Sequence, residues 1–504
     1  MDPMRRGSLR PRMAPALRDR PAPADRTADA ATRRMVEGPL AREIARFGAP
    51  LAAGMLLQTT FNLVDAYLVA QLPHDEAGPA LGALGICDQI AAIGTIVSYG
   101  ISTATSALLT QHQGAGDTAE VRRTAWQSLL LVGALALLFG GLGLVFAGPI
   151  ITDLVGAKGA VAEVATRYLR VIVGGSGTIF FLLQLTAIQR SLGSAKTPAA
   201  LLVAGNVLNL GLAIVLIFGA GPAPPALSWA GAVARAVAAP RMGMVGAAWA
   251  TVAARTVILV PVALLLVSRF HVGGPPPGEA LPDARVLRRL IALGWPSSAQ
   301  FVVRIAAMLL VNSLVARFFT TATDQTATTA MGLVFRLDTM AMFVAMGWGS
   351  AAQTFIGQNL GAGQAARATR AGYWAAAYDA LASALLTAGA LLAGAAVLRF
   401  FDADPAPVAI GAGYLRVVAP SWVALGVGVV LGNAMAGAGA TRTTMLVDLA
   451  VIVGLQFPAC IVAVAVLHAA RSTLFDLVAA TNVVSAVAYA AVFAAGRWRA
   501  AMRP

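Results

Sequence analysis

Apolar residues form long runs along most of this chain, from about residue 48 to about residue 496. Each run has about 20 residues or more, the length that a helix needs to cross a hydrocarbon layer of roughly 30 Å. The runs do not alternate between polar and apolar positions as membrane β-barrel strands do, so the pattern predicts helices. About twelve spans are predicted, beginning near residues 48, 84, 124, 168, 198, 244, 294, 327, 371, 408, 444 and 473.

The composition also predicts an integral membrane protein. Of the 504 residues, 58% are hydrophobic and only 12% are charged, and the mean hydropathy is +0.74. Soluble domains carry about 25% charged residues. The composition therefore excludes an ordinary soluble domain.

Basic residues collect in one set of predicted loops and acidic residues in the other. The first set contains Arg122, Arg123, Arg190, Lys196, Arg285, Arg288, Arg289, Arg367, Arg370, Arg442, Arg497, Arg499 and Arg503. The second contains His74, Asp75, Glu76, Asp153, Glu163, Asp324, Asp402 and Asp404, with Arg235, Arg241 and Arg471 as exceptions. The positive-inside bias then predicts a multi-pass protein of the cell inner membrane with both termini in the cytoplasm. The net charge of +14 follows from this orientation, so no nucleic acid partner is expected.

Four short motifs recur at a nearly constant offset of 246 or 247 residues, for instance 414 − 168 = 246. The pairs are YLRVIV at Tyr168 with YLRVVA at Tyr414, GAP at Gly48 with GWP at Gly294, GAGD at Gly114 with GAGQ at Gly361, and SLGSAKTP around Gly193 with GAGATRTT around Gly439. This predicts a duplicated six-helix unit. Because six is even, both copies enter the membrane from the same side as parallel repeats, which usually enclose a central cavity of alternating access.

Proline-rich and charged stretches mark the boundaries between these units. The predicted parts are a disordered cytoplasmic tail at 1–40, an N-terminal lobe at 48–268 with an inserted loop at 221–242, a cytoplasmic linker at 269–284, a C-terminal lobe at 285–496 and a basic cytoplasmic tail at 497–504. A start codon at Met35 would also explain the composition of the first part. We assign no function to the inserted loop.

Several motifs occur in a fixed order along the chain. They are LLQTTFNLVDAYLVAQL in the first predicted span, SALLTQHQGAGD and AAQTFIGQNLGAG at two helix ends, AIQRSLGSAKTPAALLVAGNVLNLGLAIVLIFG and GMVGAAWATVAAR in the fourth to sixth spans, and MGLVFRLDTMAMFVAMGWGSAAQTFIGQNLGAG in the eighth. Together these motifs resemble the corresponding helices of the multidrug and toxic compound extrusion (MATE) family, of the multidrug/oligosaccharidyl-lipid/polysaccharide exporter superfamily. The resemblance covers about residue 40 to the end, apart from the inserted loop. It implies an all-α fold of twelve transmembrane helices in a V-shaped pair of lobes, and export of amphipathic, often cationic compounds against inward flow of protons or sodium ions.

The first span contains an acid in an otherwise apolar helical run. Gln58, Asn62 and Asp65 stand at i, i+4 and i+7 and so share one helix face, which must meet a cavity or another helix rather than lipid. A buried carboxyl can bind and release a proton, or it can hold sodium together with Asn62. The resemblance supports this role, because Asp65 matches the acid that the family carries in its first helix. An acid that only packs between helices is the alternative.

The remaining ion-site residues of the family are incomplete here. The fifth span keeps Asn209, which we add to the coupling candidates, but Ala213 stands where one branch has a second acid. Another branch has a glutamate ten residues after Gly294, a position that Arg304 occupies here. Arg304 is a fixed charge. It could neutralise a carboxylate, attract an anionic substrate or extend to the membrane interface.

Methionine and phenylalanine cluster in the eighth span. Flexible thioethers and aromatic rings suit a pocket that accepts many shapes, although apolar packing explains the same residues. The substrate-cavity candidates are Arg304, Met331, Phe335 and Met342. Arg336 and Asp338 match an Arg and acid pair of the family motif, and we predict a structural ion pair or gate contact between them.

Other ionisable residues form no recognisable catalytic or metal-binding set. The sequence GSAKT at Gly193 lacks the full phosphate-loop pattern, and the four histidines are scattered over loops. We expect Cys87 and Cys460 to be packing residues. The prediction is therefore a monomeric transporter and not an enzyme, with no cofactor beyond its coupling ion, which antiports amphipathic cationic small molecules. A flippase for lipids or lipid-linked oligosaccharides of the same superfamily is the alternative.

Overall fold

The structure, a computed structural model, describes residues 25–501 except 273, 276–277, 279, 322–323 and 402–403. The side chains of residues 25–29, 62–63, 65–66 and 74–75 also lie outside the described part. Within these limits, all regular secondary structure is helical.

The first half of the chain forms α1 (Asp25–Glu37), α2 (Leu40–Ala70), α3 (His74–Gly114), α4 (Thr118–Pro149), α5 (Gly159–Gly174), α6 (Ser176–Ser191), α7 (Lys196–Phe218), α8 (Trp229–Ala236) and α9 (Met244–Phe270). The second half forms α10 (Ala284–Phe318), α11 (Thr326–Gly361), α12 (Ala365–Phe401), α13 (Pro405–Val418), α14 (Trp422–Gly437), α15 (Thr441–Asp448), α16 (Phe457–Ile461) and α17 (Arg471–Ala495). Single helical spans are interrupted at Gly175 between α5 and α6 and at the 3₁₀ turn Ala419–Ser421 between α13 and α14. These two interruptions occupy equivalent positions in the two halves.

Eleven helical stretches of the described residues are long and apolar enough to cross a membrane. They follow α2, whose 31 residues provide the first long helix of the bundle. Large apolar side chains cover the outside of the bundle, as shown by Leu137 and Leu392, which are 80% and 90% exposed. A lipid environment explains such a surface. The prediction of an all-α membrane protein with twelve spanning helices is confirmed.

The two ends of the bundle differ in charge. We call "basic end" the end where α2, α4, α7, α10, α12 and α15 begin, and "far end" the opposite one. The basic end carries most of the arginine residues named above. The inserted loop lies at the far end, where its helix α8 buries Ala230 and Ala234, and Arg241 Nη2 lies 2.9 Å from Glu76 Oε2.

Equivalent glycines join the two halves at the basic end. A Cβ atom on Gly114 of α3 would overlap the carbonyl of Gln358, and one on Gly361 of α11 would overlap the carbonyl of Gln111. Gly114 corresponds to Gly361 in the repeat, and Gln111 corresponds to Gln358. The two contacts are therefore equivalent, with the roles of the two halves reversed. This reciprocity is what parallel repeats about an axis along the bundle produce.

The apolar cores show that the halves meet at the basic end and separate toward the far end. One cluster contains residues of both halves, such as Phe47 of α2 and Phe355 of α11, whose rings pack edge to face with centroids 5.7 Å apart. All its members lie in the basic-end portions of their helices. At the far end each half has its own core, around Tyr168 in the first half and Tyr414 in the second. The result is the V-shaped pair of lobes that the resemblance implied.

The prediction of a disordered tail was wrong for residues 25–40, while residues 1–24 lie outside the described part. Helix α1 covers the basic end and contacts both halves. Gln113 Nε2 of the first half donates to Thr32 Oγ1 at 3.1 Å, and Arg367 Nη2 of the second half donates to the carbonyl of Gly38 at 2.5 Å. Met35 is buried in the shared core. The arginine-rich composition gave no sign that this helix docks through Ala31, Met35 and its backbone carbonyls.

The linker between the halves is the segment that separates α9 from α10, close to the predicted 269–284. It folds back on α4, where Gln127 Nε2 donates to the carbonyl of Leu281 at 2.9 Å and Arg123 pairs with Asp283. The N–H of Arg285 and the Arg123 guanidinium hold the pKa of the Asp283 carboxyl below its ordinary value. This contact therefore contributes stability above the ordinary aspartate pKa of about 3.9 and is lost as the pH falls through the lowered pKa.

We expect Gly361→Ala to lower the free energy of unfolding by about 2 kcal/mol, because overpacked contacts cost about 1–3 kcal/mol. The new methyl group would force α11 away from the Gln111 carbonyl. Thermal unfolding in detergent measures the loss. The matched control is Gly332→Ala in the same helix, where a Cβ has nothing within 4 Å and should be neutral or slightly stabilising. Equal melting temperatures for the two variants would contradict the proposed close contact.

Candidate functional site

A cavity lies between the helices of the second half. Its walls come from α10, α11, α13, α14, the span formed by α15 and α16, and α17. The lining residues are Arg304, Ala307, Met308, Val311, Asn312, Met331, Phe335, Asp338, Met342, Tyr414, Val418, Trp422, Leu425, Ile452, Gln456, Val478, Thr481, Asn482 and Ser485.

All four substrate-cavity candidates from the sequence line this cavity. Met331, Phe335 and Met342 recur at helical spacing on α11, and Arg304 faces them from α10. Apolar and aromatic residues supply twelve of the nineteen lining positions, and the other seven are polar or charged. Their role in substrate binding stays a prediction.

Arg304 is neutralised by a carboxylate. Its Nε and Nη2 donate to Asp448 Oδ2 and Oδ1 at 2.7 and 3.1 Å, which is a bidentate pair. The Arg304 side chain is 15% exposed and the Asp448 side chain is 0% exposed. Tyr489 Oη also donates to Asp448 Oδ1 at 2.8 Å. The sequence left three roles open for Arg304, and the structure shows the first of them, neutralisation of a carboxylate.

This ion pair lies where the cavity approaches the boundary between the halves. A smaller adjoining pocket shares Arg304 and Met342 with the cavity and includes Tyr99 of α3. Tyr99 Oη donates to Asn433 Oδ1 at 3.2 Å, which links the first half to α14. The cavity is therefore connected by direct contacts to the surface where the two halves meet.

Asp338 is the second carboxylate of the cavity. The ion pair predicted between Asp338 and Arg336 was wrong, whereas the alternative of a gate contact stays a prediction. Asp338 accepts hydrogen bonds from Tyr414 Oη at 2.5 Å and Trp422 Nε1 at 2.8 Å, and among the described contacts Arg336 is not its partner. Residues two apart on a helix do not face each other. Arg336 is not among the residues that line the cavity.

Several residues of the site had no role assigned from the sequence. Asp448 and Tyr489 are far from Arg304 in the chain, and a single arginine gives no signal for its partner. A π-helical segment, Leu449–Gln456, directly follows Asp448 and supplies Ile452 and Gln456 to the cavity. Such segments are frequent at functional sites. Tyr414 had been noted in the sequence as part of the repeated YLRV motif, but without a role in the site.

The coupling candidates lie on α2 and α7, which pack together in the first half. Asn209 of α7 is buried, and Gln58 of α2 is half-buried. The side chains of Asn62 and Asp65 lie outside the described part of the structure. Ala213, at the place of the missing second acid, is fully buried in the far-end core of this half. The coupling role of the four candidates stays a prediction.

The free cysteines behave as predicted. Cys87 and Cys460 are both buried, one in each far-end core. Cys87 Sγ donates to the carbonyl of Ala165 at 3.3 Å. They contribute packing within their separate halves.

Comparison with known proteins agrees with this geometry. The MatE family model matches residues 50–215 and 296–462, which are corresponding parts of the two halves. A probable multidrug resistance protein of Bacillus subtilis is 24% identical over 424 residues, covering 84% of this chain and 88% of the relative. An FAD transporter of Shewanella oneidensis is 24% identical over 427 residues, covering 84% of this chain and 88% of the relative.

A solved structure has the same fold. A MOP superfamily transporter from Pyrococcus furiosus, whose binding pocket is described as having reverse polarity, superposes with a TM-score of 0.81 at 20% identity. The match covers 94% of this chain and 98% of that one. Members of this family are transporters and not enzymes. With the family model matched in both six-helix halves, the chain belongs to the MatE (multidrug and toxic compound extrusion) family of membrane transporters.

Proposed function

We propose that this protein is a secondary antiporter of the inner membrane that exports amphipathic organic cations in exchange for protons or sodium ions. The multidrug resistance proteins among its relatives support export of small molecules. The positive-inside bias supports placing the basic end in the cytoplasm. The closed basic end and the separated far ends then correspond to an outward-facing state.

The polarity of the cavity is the observation that carries the proposed substrate class. The charge of Arg304 is balanced by Asp448, whereas Asp338 receives hydrogen bonds only from neutral groups among the described contacts. A cavity with one uncompensated carboxylate and a wall of Met and Phe side chains suits an amphipathic cation. Aromatic faces add cation–π attraction.

Ion flow and substrate export are coupled because the ion and the substrate stabilise different conformations of the transporter. A cation on Asp65 would favour one opening of the V, and substrate in the cavity would favour the other. Each ligand then weakens the binding of the other by the same free energy. The inward ion gradient therefore drives substrate outward.

Transport by everted membrane vesicles tests the proposed substrate class. A lipophilic cationic dye should accumulate, and Asp338→Asn should weaken its apparent affinity by about tenfold, the equivalent of about 1.4 kcal/mol for a lost charge contact. Arg336→Gln, on the same helix but away from the cavity, should transport as wild type does. Transport of an anionic flavin nucleotide but of no cation would contradict the proposal.

An anionic substrate is the second candidate, and the relatives are what favours it. One relative is an FAD transporter, and one structural neighbour has a pocket described as of reverse polarity. Arg304 is the group that would meet a phosphate here. Its bidentate pairing with Asp448 opposes this role, and the same consideration opposes a lipid-linked sugar substrate.

A further inference from the structure

A buried acid that the proposed mechanism does not use lies in the second half, away from the cavity lining. Asp379 of α12 is 0% exposed. Neither of its carboxyl oxygens has a hydrogen-bond partner among the described residues, and the same is true of the hydroxyl of Ser383, one helical turn further along. Buried polar groups are normally paired, so two orphaned groups side by side require an explanation.

The carboxyl group occupies a niche formed by a glycine of the neighbouring helix. A Cβ on Gly426 of α14 would overlap Asp379 Oδ2 and would lie 3.0 Å from Ser383 Oγ. Ala375, Ala376 and Val427 supply apolar surroundings in the same region. The absence of a side chain at Gly426 is therefore what makes room for the acid.

Among the residues that the structure describes, no charged group is bonded to Asp379. α14 contains no titratable residue, and α12 contributes Tyr378, whose ring stacks on Trp348. Asp338 on α11 and Tyr414 on α13 bond each other. An ionised carboxylate in such surroundings is unfavourable, whereas a neutral carboxylic acid is tolerated.

The niche also adjoins the moving parts that the proposed mechanism requires. Leu425, the residue before Gly426, lines the substrate cavity. The 3₁₀ turn Ala419–Ser421 interrupts the span directly before α14, and interrupted spans near the centre of transporter halves mark binding sites. A displacement of α14 from α12 would therefore have two effects at once: it would change the cavity wall, and it would admit water to Asp379.

We propose that Asp379 is a second proton-binding site, closed by α14 when protonated and opened when α14 moves. The proposal rests on the proposed antiport function for its role in coupling. In the packed state the carboxyl carries its proton. When α14 separates from α12, the O–H bond ionises, the proton passes to water, and the carboxylate becomes hydrated until the helices close again.

Infrared spectroscopy of purified protein in detergent tests the site without substrate. Wild-type protein at neutral pH should show the C=O stretching band of a protonated buried carboxyl, and the band should move in protein carrying ¹³C-labelled aspartate. Asp379→Asn has the shape of the protonated acid and should fold but lose this band. Ser383→Ala keeps the acid and should retain the band at a shifted frequency. An unchanged band in both variants would overturn the proposal.

Proton counting in proteoliposomes tests the coupling role. The ratio of protons moved per substrate should fall by one in Asp379→Asn relative to wild type, and Ser383→Ala should keep the wild-type ratio. An unchanged ratio in Asp379→Asn would overturn the coupling role. Failure of the proposed function is distinguishable, because wild-type protein would then move no protons with substrate while the infrared result still stands.

Discussion

Asp65→Asn is expected to abolish ion-driven substrate accumulation while leaving exchange of substrate for substrate intact. Each pH unit across the membrane is worth about 1.4 kcal/mol per proton, so two units can sustain about a 100-fold substrate gradient at equal stoichiometry. Asn cannot bind the cation that favours one opening of the V, so the variant should reach no gradient at all, although Asp379 can still bind its proton. Counterflow of labelled substrate in vesicles measures exchange separately from accumulation.

The control for this substitution is Asp153→Asn, which removes an acid at the far end of α4 instead of the helix face shared by Gln58, Asn62 and Asp65. Asp153 is exposed, and Thr152 Oγ1 donates to its carboxyl. This variant should accumulate substrate as wild type does. Full accumulation by Asp65→Asn would leave Asp65 as a packing acid.

Asp448→Leu is expected to lower the free energy of unfolding by about 3 kcal/mol or more. Removal of one partner from a buried ion pair leaves the other charge uncompensated, which typically costs about 3–5 kcal/mol. Here the guanidinium of Arg304 and the hydroxyl of Tyr489 would both lose their shared acceptor. Thermal or denaturant unfolding in detergent measures the change.

A double variant separates the charge effect from lost packing. Arg304→Met together with Asp448→Leu removes both charges and should recover most of the lost stability. The exposed pair of Arg167 with Glu163 supplies the comparison, since side chains 65% and 64% exposed gain little from pairing. Glu163→Ala should therefore change stability by less than about 1 kcal/mol. A double variant as unstable as Asp448→Leu alone would contradict the proposed origin of the effect.

The fold could be predicted because its determinants are local or periodic in the sequence. Apolar run length identified the spans, and the recurrence of GAGD at Gly114 as GAGQ at Gly361 revealed the duplication. The same two glycines prove to be the close contacts between the halves. The helices begin earlier in the chain than predicted. Helix α10, for example, begins at Ala284 and not near residue 294, because its polar first turns project outside the apolar layer.

The site was predictable only in part, because its charged residues pair with residues that are distant in the sequence. Helical spacing brought Met331, Phe335 and Met342 together, as their types suggested. The partner of Arg304 is 144 residues away, which no local pattern encodes. The motif pair of Arg336 with Asp338 failed for the opposite reason: adjacency in sequence places the two side chains on different helix faces.

Helix α1 illustrates a tertiary contact that composition conceals. An Arg-rich, Ala-rich segment has the composition of a disordered tail. Ala31 and Met35 are its buried members among the residues whose side chains are described. Docking depends on backbone carbonyls that Asn359 and Arg367 reach from the second half. Every residue has a backbone carbonyl, so the sequence of side chains does not indicate which carbonyls will be bonded.

The measurement that most directly tests ion-coupled export is substrate-driven ion movement in proteoliposomes. Internal pH and internal sodium are followed separately while a lipophilic cation is offered to the wild-type protein. Efflux of the cation should drive uptake of one of the two ions, with no such movement in protein-free vesicles. Transport of the cation with neither ion responding would contradict antiport.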